Sequence, residues 1–167
     1  MAGAVSFRQA TAEDFYALTS ALLDAVNWRG TAPLDRERLW ADPQLAHYVA
    51  GWPRPTDFGT VAVVDGKSVG VAWCRIFPVE DPGYGFVAAD IPELSMGVRS
   101  DHRGRGVGSA LLKALIAQAQ ARAYRALSLS VEDGNRARQL YHRFGFTVVG
   151  RNGNSEIMCC HITNSAQ

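Results

Sequence analysis

Glu93-Leu94-Ser95-Met96-Gly97-Val98-Arg99-Ser100-Asp101-His102-Arg103-Gly104-Arg105-Gly106-Val107-Gly108-Ser109-Ala110-Leu111-Leu112 is the stretch that decides the fold. Leu94, Met96 and Val98 alternate onto one face, which predicts a strand over Glu93–Val98 with Glu93 facing the other way. Val107, Leu111, Leu115 and Ala119 recur every four residues, which predicts a helix from about Gly106 to Arg122. Between strand and helix lie three glycines and two arginines. Glycines let a backbone approach a ligand closely and reach positive φ. The unbonded amides and the dipole of the helix start favour an anion, and Arg103 and Arg105 add positive charge. The turn suits a phosphate or pyrophosphate. Read alone, it is equally a tight strand-to-helix turn with solvated arginines.

Two other anion motifs fit worse. A Walker loop needs Gly-Lys-Ser/Thr, and no lysine stands here. A Rossmann fingerprint needs its third glycine at position 109, which is Ser109.

Working outward, strands and helices alternate, which predicts a mixed α/β domain. Val5–Gln9 reads as a first strand. Thr11 caps a helix carrying Leu18, Leu22 and Val26, with Glu13 and Asp14 in its first turn. Asp35 caps a second helix with Leu39 and Trp40, and a further turn or helix follows Pro43 over Leu45–Ala50. Gly51–Gly59 reads as loop. Thr60–Val64 and Ser68–Phe77 form a hairpin around Asp65-Gly66-Lys67. Pro78–Pro92 is a long, acidic loop, a length that in compact domains tends to carry function. After the glycine turn, Leu127, Leu129 and Val131 predict a strand. Asn135–Phe144 predicts a helix with Ala137, Leu140, Tyr141 and Phe144 inward, stopped by Gly145. Phe146–Val149 and Glu156–Cys160 complete the chain as strands around Asn152-Gly153-Asn154.

The 167 residues suffice for one domain with its own core, and residues 1–167 are read as one unit. A net charge of +1 gives no reason to expect nucleic acid or an anionic membrane as partner. No apolar run reaches the roughly 20 residues a membrane helix needs, and Met1–Ala10 lacks the pattern of a secretory leader. Cys74, Cys159 and Cys160 suit neither a disulfide framework nor a zinc site. A cytoplasmic location and no bound metal are therefore expected.

Val98 to Leu112 closely resembles the cofactor motif of the GCN5-related N-acetyltransferases (GNAT), Gln/Arg-x-x-Gly-x-Gly/Ala, matched by Arg103, Gly106 and Gly108. The family's next motif is matched by Ser128-Leu129-Ser130-Val131, then Asn135, Ala137, Leu140-Tyr141 and Phe144-Gly145-Phe146. Together they cover residues 93–150. The resemblance implies the GNAT fold, a twisted mixed α/β sheet of six to seven strands flanked by about four helices. It implies acetyl-CoA as cosubstrate, with the strands at 93–98 and 126–131 parallel and splayed, and Gly97 a candidate for the kink. Backbone groups of Met96 and Val98 would meet the pantetheine arm. Amides of Arg103, Gly104, Arg105, Gly106, Val107, Gly108 and Ser109 would meet the pyrophosphate. Asn135 matches a side-chain contact to the arm. A homodimer through the last strands is an open expectation.

The implied reaction is direct attack of an amine on the thioester. An amine of pKa about 10.4 must lose a proton first. On spacing alone Tyr141 reads first as a core aromatic; the resemblance reverses that order and matches it to the position of the family's proton donor. Glu93 is the candidate base through water, against the plain reading of a solvated strand-end glutamate. Glu80, Asp81, Asp90 and Glu132 are weaker rivals. His102 is expected to be exposed, and Cys74 a core thiol. The helices over about 11–50 and the loop 78–92 would face the acceptor. Trp28, Arg29, Trp40 and Trp52 would line its pocket or anchor helices, while Glu80, Asp81 and Asp90 would attract a cationic amine. The alternative function is a non-catalytic acyl-CoA sensor on the same fold.

Overall fold

A computed structural model describes residues 3–163 of the chain, so Met1, Ala2 and residues 164–167 lie outside the described part. Along the chain run β1 (Ser6–Gln9), α1 (Phe15–Val26), α2 (Arg36–Ala41), α3 (Pro43–Ala46), β2 (Phe58–Val64), β3 (Lys67–Arg75) and β4 (Glu93–Val98). Then come α4 (Val107–Ala121), β5 (Ala126–Glu132), α5 (Ala137–Arg143), β6 (Thr147–Asn152) and β7 (Ser155–His161). The strand order is β1-β2-β3-β4-β5-β7-β6. The β4–β5 pair is parallel, and β1–β2, β2–β3, β5–β7 and β6–β7 are antiparallel. This is the mixed α/β sheet that the sequence predicts.

Packing divides the chain into two compact units. One takes the chain up to Cys74 together with Ser95–Leu115; the other takes Arg75–Leu94 and the chain from Ile116 on. The division falls inside β4.

In the first unit, the start of α1 is tighter than the sequence suggests. Residues Ala12–Asp14 form a 3₁₀ turn before the α-helix proper. The Asp14 carboxylate accepts from the Thr11 N–H at 2.7 Å and from the Arg8 guanidinium at 2.7 and 2.8 Å. Those bonds hold the first turn short and keep the Asp14 carboxyl below its ordinary range, the Arg8 hydrogen bond being the largest cause. Asp35 Oδ1 caps α2 by accepting from the Arg38 N–H at 2.9 Å. Pro43 opens α3 at its first position, two residues earlier than expected, because Asp42 supplies the cap and proline is preorganised there.

The hairpin turn is two residues, Asp65 and Gly66, both at positive φ, so Lys67 already belongs to β3. β3 ends at Arg75 rather than Phe77. The indoles of Trp52 and Trp73 are anchors: Trp52 Nε1 donates to the Thr11 carbonyl at 2.9 Å and Trp73 Nε1 to the Tyr48 carbonyl at 3.0 Å. Gly97 of β4 lies directly under α1. A Cβ there would fall 1.8 Å from the Ala21 carbonyl oxygen. What Gly97 meets here is the close seat of a helix on the strand, a demand the sequence did not show.

In the second unit, β5, β7 and β6 form an antiparallel sheet whose last hairpin turns at Gly153 and Asn154. α5 closes at Gly145 with φ 93°, and the Phe146 N–H donates to the Tyr141 carbonyl at 3.1 Å. Phe77, Leu127, Leu129, Phe146 and Met158 are among the fully buried apolar residues of this unit. Cys159 and Cys160 are buried free thiols, and burial pushes both above the ordinary thiol range.

Candidate active site

The first unit carries the glycine turn. Gly104 and Gly106 take φ 74° and 79°, a region that side chains with Cβ adopt at a cost, and neither has a heavy atom within 4 Å of where a Cβ would sit. The glycines are there for conformation, and the space beside them is open. α4 begins at Val107, and its first internal bond runs from the Ala110 N–H to the Gly106 carbonyl at 3.1 Å. Among the described residues, the amides from Gly104 to Ser109 donate to no backbone carbonyl. A run of six amide donors without a backbone acceptor at a helix start has the chemistry to meet an anion.

The two arginines of the turn differ. Arg105 is exposed and, among the described residues, engages no partner. The Arg103 guanidinium instead donates from Nε to the Val98 carbonyl at 3.1 Å and from NH2 to the Asp24 carbonyl at 3.2 Å. Of Val98's two backbone groups, then, the carbonyl is already engaged. Burial holds the Asp24 carboxyl above its ordinary range, against the opposing pull of Arg103 and Arg99. The expectation for His102 is corrected: its side chain is only 12% exposed, with Nε2 3.8 Å from Asp101. A 3₁₀ turn over Ser100–His102 folds it inward.

Glu93 belongs to the second unit and is not a solvated strand end. It is 3% exposed, and Oε1 accepts from the Gly85 N–H at 3.0 Å. The loop 83–85 closes over it as a strap. A Cβ on Gly83 would meet Glu93 Oε1 at 2.3 Å, and one on Gly85 would meet the Leu129 carbonyl carbon at 2.4 Å. Two glycines in an acidic loop were the available signal for this strap, but nothing in the sequence ties them to Glu93. The β4–β5 register is a single pair, Glu93 opposite Ser128, so the two side chains share one face. Ser128 Oγ is buried and, among the described residues, bonds to nothing.

Tyr141 is buried on α5, edge-on to Phe146 at 5.9 Å between ring centres. Its hydroxyl makes no hydrogen bond among the described residues, and burial pushes its pKa up to about 12. Asn135 Oδ1 accepts from the Ala137 N–H at 3.0 Å, one residue ahead of Arg136 at the cap position of α5, and its amide donors are left for another partner. Met96, Gly108 and Ser109 are half-buried, and Val107 is buried. Of the rival carboxylates, Asp90 is spent on Arg125 at 2.7 and 2.9 Å, while Glu80 and Asp81 are exposed. Among the tryptophans of the first unit, Trp40 stacks on Phe15 at 5.7 Å, and Arg29 lies over the Trp28 ring at 4.5 Å. Among the described residues no group of three or more His, Cys, Asp or Glu side chains could hold a metal, and no helix is long and apolar enough to cross a membrane.

Parallel β4 and β5, joined through a glycine turn and a helix within this strand order, mark a specific mixed α/β fold. Comparison with known proteins agrees. The model of the acetyltransferase (GNAT) family matches residues 19–146, and the chain belongs to that family. The PaiA N-acetyltransferase of Thermoplasma acidophilum, solved in complex with coenzyme A, superposes with TM-score 0.68 at 16% identity over 95% of this chain and 99% of that one. The ribosomal-protein-alanine N-acetyltransferase of Brucella melitensis gives TM-score 0.63 at 28% identity over 93% and 99%. The L-methionine sulfoximine/L-methionine sulfone acetyltransferase of Pseudomonas aeruginosa is 42% identical over 60 residues. That match spans 35% of this chain and about a third of the relative's length, 35%.

Proposed function

We propose that this protein moves an acetyl group from acetyl-CoA to a primary amine by direct attack in a ternary complex. The observation that carries the reading is the Gly104–Ser109 turn, with two positive-φ glycines, open space beside them and six free amides. In this reading the turn holds the pyrophosphate, Arg105 adds charge, and the backbone of Met96 and Val98 with the Asn135 amide holds the pantetheine arm. The single-pair register of β4 and β5 supports it, since a splayed parallel pair needs little ladder between its strands.

Glu93 is the proposed base. Its Oε1 is held by the Gly85 N–H. Glu93 and the Ser128 hydroxyl beside it are the groups that would hold a relaying water. The amine nitrogen, once deprotonated, bonds to the thioester carbon and gives up a second proton through the same water, and the C–S bond then breaks as the tetrahedral intermediate collapses, the electron pair leaving on sulfur. Tyr141 is the proposed donor at the departing sulfur. A phenol at about 12 is a weaker acid than a thiol near 8.5, so complete transfer is uphill by roughly 5 kcal/mol. Tyr141 therefore acts as a hydrogen-bond donor to the developing thiolate, and solvent completes the protonation.

The test mixes the protein with acetyl-CoA and a panel of amines, including methionine sulfone, methionine sulfoximine, an alanine-ended peptide and a polyamine. Release of free thiol is followed with a thiol reagent. Turnover with one of them is expected. CoA binding with no thiol release across the panel would replace this reading with the acyl-CoA sensor. Tyr141→Phe should lower kcat by about 10²-fold and leave acetyl-CoA binding unchanged.

A further inference from the structure

We propose that Arg103 is a positioning residue that fastens the C-terminal half of α1 to the anion turn, so that filling the turn orders α1. The proposal rests on the reading of that turn as the pyrophosphate site. Three observations in the first unit carry it. The Arg103 guanidinium is spent on two carbonyls, that of Val98 on β4 and that of Asp24 on α1, 79 residues away in sequence. Three residues before Asp24, the Ala21 carbonyl sits so close to Gly97 that no Cβ fits between them. The neighbouring Arg105 has no partner among the described residues and remains the cation free to meet a ligand.

The consequence is mechanical. α1 is seated at Ala21 and tied at Asp24, and the tie is the first residue of the turn itself. An anion that draws together the amides from Gly104 to Ser109 fixes the backbone from which the Arg103 side chain leaves. The N–H donors of Arg103 then hold the last turn of α1. What the position needs is a donor that reaches carbonyl oxygens, not a charge. α1 is among the helices expected to face the acceptor, so cofactor binding would preorganise the acceptor side.

Hydrogen exchange of the α1 amides from Leu23 to Asn27, with and without coenzyme A, tests this. In the native protein coenzyme A should raise their protection by about five-fold or more. Arg103→Ala should bind coenzyme A within about three-fold of the native affinity yet lose that rise. Arg103→Gln, which keeps N–H donors and drops the charge, should restore much of it. Arg105→Ala should weaken coenzyme A binding, with a shallower salt dependence, and leave the α1 response in place. If Arg103→Ala instead behaves like Arg105→Ala, with α1 still responding, Arg103 is an ion ligand and the proposal fails. If the native protein binds no coenzyme A, the functional reading fails separately. Basal α1 protection then decides: loss in Arg103→Ala alone upholds the tie, and equal protection in both variants overturns it.

Discussion

The anion turn and the strap over Glu93 both depend on glycine, for opposite reasons. Gly104 and Gly106 have positive φ and nothing within 4 Å, so their backbone conformation demands glycine while the space around them stays open. Gly83 and Gly85 have no such φ, and a Cβ at either would land within 2.4 Å of another group. Gly97 is the extreme of the crowded kind. The open glycines leave room for something to arrive. The crowded ones bring chain segments together and fix what is already there: α1 on β4, and a loop on a carboxylate.

The largest effect should come from Gly97→Ala. The added carbon would overlap the Ala21 carbonyl, which is backbone and cannot turn aside. Overpacking against a rigid partner costs more than about 3 kcal/mol, a large share of a domain's stability. Urea unfolding should show the loss. A variant within about 1 kcal/mol of native stability would mean that α1 does not sit where described, and the crowded class would lose its clearest member.

That variant also shows where sequence reading stops. Leu94, Met96 and Val98 announced β4, and Val107, Leu111 and Leu115 announced α4, because burial on one face imposes a period. The paired motifs named the family. The direction of the Arg103 side chain and the burial of Glu93 were not legible, since each depends on contacts with distant residues: Asp24 in one case and the Gly83–Gly85 strap in the other. Periodicity reports which face is inside; it does not report what lies upon it. Thr11 shows the intermediate case: the cap was readable, but the 3₁₀ turn that follows depends on Arg8, a residue of the preceding strand.

Within the strap the two glycines should separate. Gly85→Ala presses on the backbone of Leu129 and Ser130 and should cost about 2–3 kcal/mol. Gly83→Ala meets only the end of the Glu93 side chain, which can rotate away, so its stability cost should be nearer 1 kcal/mol. Its effect should fall instead on turnover, because the carboxylate is displaced. Equal stability losses in the two variants would place Glu93 in a rigid setting and argue for a structural rather than a catalytic carboxylate.

In the open class, Gly106→Glu should abolish coenzyme A binding. The left-handed conformation costs the new side chain about 1–2 kcal/mol, so the fold should survive. Gly106→Ala carries the same strain without the charge and separates strain from repulsion. If the Glu variant binds coenzyme A as well as the Ala variant does, the pyrophosphate is not at this turn.

Gly104 tests the comparison most directly. Its φ of 74° is the only demand on it, since nothing crowds the position. Gly104→Ala should therefore cost about 1–2 kcal/mol through strain alone. Gly104→Asn should cost less than Ala although it is larger, because asparagine tolerates this region and the space is free. A crowded glycine would give the reverse order, with the larger side chain worse. Thermal unfolding of the two variants thus assigns Gly104 to one class or the other without reference to any ligand. Should Asn prove the worse substitution, the turn is more closely packed than its geometry indicates, and the room it offers an anion shrinks with it.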